Sequence, residues 1–167
     1  SFNMTKNTVA IEKSNKSDET TNSEERPITL ILFSSNRNLT RTELNKTFAV
    51  KKGKLFQAEN RHASGTINIS FEGDSISIYT HTGVSDVYLS GNALKCELFN
   101  QGIGIIDARE MQVEQAFLNN SSINSMYAFS SNYLFSGINF SGNNYVFGNP
   151  ALIDEEDNAE GELILSN

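Results

Sequence analysis

In the second half of this chain, apolar residues recur at alternate positions in short runs, each introduced by a small or turn-forming residue. The runs read "ASGTINIS" from Ala63, "GVSDVYLSG" from Gly83, "GIGIIDAR" from Gly102, "SINSMYAFS" from Ser122, "FSGNNYVFG" from Phe140 and "AEGELILS" from Ala159. Their corners, Gly65, Ser85, Gly104, Asn124, Gly142 and Gly161, lie 20, 19, 20, 18 and 19 residues apart. Gly, Asn and Ser tolerate tight or left-handed backbone, so these positions predict turns. The second and fourth residues after each corner are mostly apolar: Ile67 and Ile69, Val87 and Leu89, Ile106 and Ala108, Met126 and Ala128, Leu163 and Leu165. Alternate strand residues face opposite sides, so each run predicts a strand with one inward face. At Gly142 the pair is Asn144 and Val146, and the pattern weakens.

A second strand fits between successive corners, in "NALKCELF", "QVEQAFL" and "NYLFSGI". Counting back from the next corner turns Cys96 with Leu98, Ala116 with Leu118, and Leu134 with Ser136 and Ile138 to one side, although "VEQAFL" also permits Val113 and Phe117. Two strands per rung of about 19 residues at nearly constant spacing predict a coiled parallel sheet in which equivalent side chains stack. The fold class is all-β, a parallel β-helix with short rungs. An antiparallel sandwich also supplies short strands and frequent turns. It does not require every second turn to return in register with the same chemistry.

The repeat divides the chain into a flexible polar segment over 1–26, irregular strands or a cap over 27–62, and the repeat over 63–167, with 27–167 as one domain. "PITLILF" at Pro27 predicts a buried strand, and Asp154 to Asp157 predict an acidic loop before the last strand, "ELIL". No apolar run approaches the roughly 20 residues of a membrane span, and the opening residues lack the apolar core of a signal peptide.

Charge narrows the partners. The net charge is -7, with seven basic and two acidic residues over 37–62 but two basic and thirteen acidic over 63–167. Such an acidic body repels phosphate, which argues against nucleic acid. The single cysteine, Cys96, allows no intramolecular disulfide and no cysteine-based zinc site; on a strand it reads as a small buried group. His62 and His81 lack partners at ligand or triad spacing and read as surface or corner residues. No metal or other cofactor is expected.

"YLFSGINFSGNNYVFGNPALI" resembles the closing motif of the auto-transporter adhesin, head GIN domain family: a leucine strand, a Gly-Ser-Gly corner, a short aromatic strand and a Gly-Asn-Pro turn. "TGVSDVYLSGNA" at Thr82 is similar to that family's Gly-Ser-Gly-Asp corner and strand. The resemblance spans about residues 63 to 165, with Val84, Ile103 and Ile123 standing where the family carries small corner residues. It implies a single-stranded right-handed β-helix and an exported protein of Bacteroidetes-type bacteria, often a lipoprotein. Periplasm, outer-membrane anchorage or cell surface follow as locations, and membrane contact would come only through a lipid anchor. It implies no particular activity.

Parallel β-helices also include polysaccharide lyases and hydrolases. Glycoside hydrolysis needs two carboxyls roughly 5 to 10 Å apart, and the outward positions supply one, Asp107. Lyase chemistry calls for a cation beside clustered acids, and after Arg61 only Lys95 and Arg109 remain. The calcium-binding nonapeptide of β-rolls is missing, and the acidic run lacks EF-hand spacing. Catalysis is therefore not expected.

An outward ladder stands out instead. The third residue after each corner is Asn68, Tyr88, Asp107, Tyr127 or Tyr145. Stacked at the roughly 4.8 Å strand spacing, Tyr88, Asp107, Tyr127 and Tyr145 would form an aromatic strip with a polar rim, suited to a glycan or a cell-surface protein. The same tyrosines also fit plain cross-strand packing, and the sequence by itself favours that simpler role.

Overall fold

Strands that bury one face and repeat at a fixed interval can satisfy their backbones by lying on the equivalent strand of the next turn, and this chain does so. The computed structural model describes residues 9–12, 28–33, 46–157 and 159–166. In chain order the strands are β1 (Val9–Glu12), β2 (Ile28–Phe33), β3 (Lys46–Asn100), β4 (Ile106–Asn120), β5 (Met126–Phe129), β6 (Tyr133–Ile138), β7 (Asn144–Phe147), β8 (Leu152–Asp157) and β9 (Leu163–Ser166). β3 is one long extended segment that bends through several turns of the coil. Among the described residues there is no helix.

Among the described strands pairing is parallel, except that β1 runs antiparallel to β2. Val87 pairs with Ile106, Ile106 with Met126, Met126 with Asn144 and Asn144 with Leu163, in steps of 19, 20, 18 and 19 residues. These are the intervals between the corners. The second column runs from β3 through β4 and β6 to β8: Cys96 pairs with Ala116, Ala116 with Leu134 and Leu134 with Ile153. The result is a parallel β-solenoid of about six turns.

The interior is a stack of aliphatic ladders. Ile67, Val87, Ile106 and Met126 line one wall, and Ile76, Cys96, Ala116 and Leu134 the other; all are buried. Ala116 and Leu118 point inward while Phe117 points out, which settles the register left open by "VEQAFL"; Val113 is buried as well. Burying a large aliphatic side chain contributes about 1.5–3 kcal/mol, so these ladders dominate stability. The Cys96 thiol is one of them: burial, with the neighbouring Glu97 charge, pushes its pKa up to about 12.

The corners work differently from the expectation of left-handed backbone. Gly65 has φ of 110°, but Gly104 and Gly142 are not among the glycines with positive φ. A Cβ on Gly104 would overlap the carbonyl of Ser85, and one on Gly142 the carbonyl of Asn124. Glycine is needed there because successive corners lie in van der Waals contact, main chain on main chain.

The first corner of a rung, the one that carries the aligned corner residue, is at Gly104 and at Asn124 also held from inside by a buried amide. Asn100 Oδ1 accepts from Thr80 Oγ1 (2.6 Å) and the Gly102 N–H (3.1 Å), while its Nδ2 donates to the Gly104 carbonyl (3.0 Å). One turn later Asn120 Oδ1 accepts from the Ser122 N–H (3.1 Å), and its Nδ2 donates to the carbonyls of Asn124 and Gly142 (both 3.1 Å). The weak point of the repeat has a similar explanation. Asn144 faces the second wall, where its Nδ2 donates to Ser136 Oγ at 2.9 Å, so one polar pair bridges the core.

Two expectations change at the ends. The polar segment 1–26 contains strand β1, because β2 offers an edge on which it pairs; its remaining residues lie outside those described. The run from Asp154 to Asp157 is strand, not loop, since β6 pairs with it residue by residue. Glu155 thereby occupies the column of Leu118 and Ser136. A charge in the core column discourages a further rung from stacking on this end. The side chain of His62 lies outside the described residues, and His81 is half-buried against Glu59 (2.8 Å).

The Asn144–Ser136 pair yields a test in urea unfolding followed by circular dichroism. Ser136→Ala should cost about 1–3 kcal/mol, because it strands a buried amide. Adding Asn144→Leu should recover most of that loss; if the double variant is the less stable of the two, the pair is not an isolated polar bridge.

Candidate functional site

The outward side of the first column carries the residues singled out in the sequence, and their register brings them into line. Tyr88 pairs with Asp107, Asp107 with Tyr127 and Tyr127 with Tyr145, with Ile164 next. The Tyr127 and Tyr145 rings stack at 5.1 Å between centroids, 14° from parallel. Two positions on, Phe129 pairs with Phe147 and adds two half-buried rings. Tyr88 stands at the other end of the strip, more exposed, and Asp107 separates it from the stack.

Asp107 is buried, which sequence did not show. A register shift between Tyr88 and Ser90 inserts one extra residue into β4 and re-aims the side chains around it. Arg109 consequently lies beside Asp107: its Nε donates to Oδ1 (2.9 Å) and Oδ2 (3.2 Å), and its Nη2 to Oδ2 (2.5 Å). The Arg109 backbone N–H donates to Oδ1 as well, at 3.2 Å. Burial pushes the Asp107 pKa up, but the Arg109 hydrogen bonds and charge outweigh it and hold the carboxyl below its ordinary value. The guanidinium sits 5.0 Å from the centroid of Tyr127 and 5.8 Å from that of Phe147. Arg109 thus clamps Asp107 with its hydrogen-bonding edge while its plane covers the aromatic cluster.

Beside this cluster is a depression of about 250 Å³ lined by Asn68, Ser70, Tyr88, Ser90, Asp107 and Glu110. The bulge that places Arg109 also brings Glu110 here, a second carboxylate that the spacing of the repeat alone did not reveal.

The opposite face carries a comparable arrangement. Lys95 Nζ lies 2.5 Å from Glu97 and 4.5 Å from the centroid of Phe117, which packs on Tyr133 at 5.3 Å; the Tyr133 hydroxyl donates to Asp154 at 2.7 Å. Hydrogen bonding to Lys95 holds the Glu97 pKa low against the effect of burial, with help from Ser77 and Tyr79. Both cations that follow Arg61 are therefore tied to a carboxylate and an aromatic ring. Along the second-corner edge, where the first strand of a rung turns into the second, runs a groove of about 790 Å³, lined in part by Glu72, Asp74, Leu94, Glu114 and Phe129. It opens because the coil loses two residues there: Ala108 pairs with Ala128, but Gln115 pairs with Tyr133. Among the described residues no three His, Cys, Asp or Glu side chains converge as a metal site.

A β-helix is what the sequence resemblance implied, and its rung length is the one the corner spacing predicted. The family profile described as "Putative auto-transporter adhesin, head GIN domain" matches residues 8–150. The chain belongs to that family. The match extends the likeness well beyond residues 63–165 toward the N-terminus, over β1 and β2. No curated protein and no solved structure matches the chain. In this head GIN domain, then, the side chains themselves must carry any argument about ligand.

Carboxyl carbon NMR will test the Asp107 clamp. In the wild type, Asp107 should titrate below the ordinary aspartate value of about 3.9. Its stabilising contribution is then complete above that value and disappears as pH falls through the lower, folded one. Arg109→Met removes the opposing interactions and leaves burial, so the midpoint should rise above the wild-type value; an unchanged midpoint would show that Arg109 does not hold the carboxylate.

Proposed function

We propose that this chain is a non-catalytic, exported module of the cell envelope or cell surface that binds an extended ligand along the Tyr88–Asp107–Tyr127–Tyr145 face. The carrying observation is the in-register stack of Tyr127 on Tyr145 beside Phe129 and Phe147, bordered by the Asp107–Arg109 pair. Aromatic rings with an amphipathic rim suit a sugar surface or an aromatic-rich protein patch. A glycan is the preferred partner, since the hydroxyl, amide and carboxylate groups around the depression match its hydroxyl-rich surface. The neighbouring carboxylates Asp107 and Glu110 outnumber the single guanidinium, so an uncharged glycan is favoured over an acidic one. The family description supports export and an adhesive role, with a lipid anchor the route of any membrane contact.

The second reading is a carbohydrate-active enzyme, a lyase or hydrolase on the same scaffold. It draws on Asp107 and Glu110 lining one depression. Against it, a general acid must hold a proton near the working pH, and Arg109 keeps Asp107 ionised.

A glycan array of uncharged and acidic polysaccharides, probed with wild type, Tyr127→Ala/Tyr145→Ala and the opposite-face control Tyr79→Ala, separates the readings. The double variant should lose at least about tenfold in binding to an uncharged glycan, in line with loss of two aromatic contacts, while the control binds as wild type. Equal binding by the double variant removes this face as the site. Release of new reducing or unsaturated ends from a bound polysaccharide, abolished by Glu110→Gln, would establish the enzyme instead.

A further inference from the structure

The first-corner edge carries an apolar ridge that neither the core nor the proposed binding face uses. Val84, Ile103, Ile123 and Phe140 are 46%, 57%, 57% and 51% exposed. Val84, Ile103 and Ile123 each directly precede an aligned corner residue, so they recur at the repeat interval, and Phe140 follows one rung later. Isolated exposed aliphatic residues are ordinary, but a row of them on consecutive rungs is a contiguous surface.

The ridge is also stiff. The Ile103 N–H donates to the Gly83 carbonyl (2.8 Å), the Gly142 N–H to Ser122 (3.0 Å) and the Gly161 N–H to Phe140 (3.1 Å). Asn124 Nδ2 donates to the Ile103 carbonyl. The buried Asn100 and Asn120 amides pin the same corners from inside. Little conformational freedom is left here for an association to remove.

Charge identifies the partner. Residues 80–85, 100–105, 120–125 and 138–143 contain no Asp, Glu, Lys or Arg, and the nearest carboxylate, Asp86, accepts a hydrogen bond from the Ile105 N–H at 3.0 Å. Every other side of the coil presents carboxylates: Glu110 on the first face, Glu97 and Asp154 on the second, and Glu72, Asp74 and Glu114 along the other corner. Two copies of a chain of net charge -7 repel. The first-corner edge is where they can meet without pressing carboxylate on carboxylate, and charge depletion around an apolar centre marks interface cores.

We propose that this ridge is a self-association surface, on which two copies pack edge to edge about a two-fold axis perpendicular to the coil. With the axis between Ile103 and Ile123, Ile103 meets the partner's Ile123 and Val84 meets the partner's Phe140, a self-complementary contact. The arrangement leaves the Tyr127–Tyr145 face of both copies open and doubles the binding sites. The contact is narrow, below roughly 1,200 Å² in total, and the dimer is correspondingly weak, with a dissociation constant on the order of 10–100 µM.

Sedimentation equilibrium of the full chain from low to high micromolar concentration tests this. The wild type should move from monomer to dimer, and more readily at about 0.5 M NaCl, where repulsion between the acidic bodies is screened. Ile103→Asp/Ile123→Asp should weaken association at least tenfold, and Leu94→Asp, an exposed position on the other corner, should not. Ile103→Ser/Ile123→Ser gives the same readout without added charge, and unchanged circular dichroism and Tm in either variant exclude unfolding as the cause. A wild type that stays monomeric throughout, or a double variant that dimerises as wild type, overturns the proposal. Binding of monomeric wild type to uncharged phosphatidylcholine vesicles, lost in the double variant, would overturn it in favour of a lipid surface.

Discussion

The approach of one corner to the next, main chain against main chain, is the constraint from which the rest of this molecule follows. A Cβ at Gly104 or Gly142 would occupy the space of the preceding carbonyl, so at these two corners the turn closes only because that side chain is missing. Once they close, consecutive rungs must lie in register at the parallel-strand spacing, and every side chain is stacked on its equivalent 18 to 20 residues away. Ladders of aliphatic residues inside and of amides at the corners are then mutually supporting. Asn100 and Asn120 repeat one hydrogen-bonding arrangement one turn apart, satisfying corner N–H and carbonyl groups that water cannot reach.

The same register creates the outer surface. An aromatic residue at one outward position necessarily meets whatever stands there on the next rung, so Tyr127 stacks on Tyr145 and Phe129 adjoins Phe147. Departures from strict repetition give the surface its relief. One extra residue in β4 turns Arg109 back onto Asp107 and across the Tyr127 ring, and two residues lost at the following second corner open the acidic groove. The regular part of the solenoid supplies rigidity, and its irregularities supply the chemistry.

That division also explains what could be read from the sequence. The corners, the rung length and the line of Tyr88, Asp107, Tyr127 and Tyr145 were legible because spacing alone determines them. Arg109 and Glu110 were not, because a bulge is a local backbone event that leaves no trace in residue type. The acidic run of β8 reads as a loop because Asp and Glu are poor strand formers; pairing with β6 overrides that preference. The structural role of Asn100 and Asn120 did leave a signal: both stand four residues before a corner, at a separation of 20. In a chain so rich in asparagine, that signal is easily passed over.

Backbone amide NOEs measured on isotopically labelled protein bear most directly on the stacked register. A parallel solenoid predicts contacts that run in series from Asp107 to Tyr127, from Tyr127 to Tyr145 and from Tyr145 to Ile164. Antiparallel contacts between consecutive strands, such as Met126–Phe129 with Tyr133–Ile138, would contradict it and remove the aromatic face along with the coil.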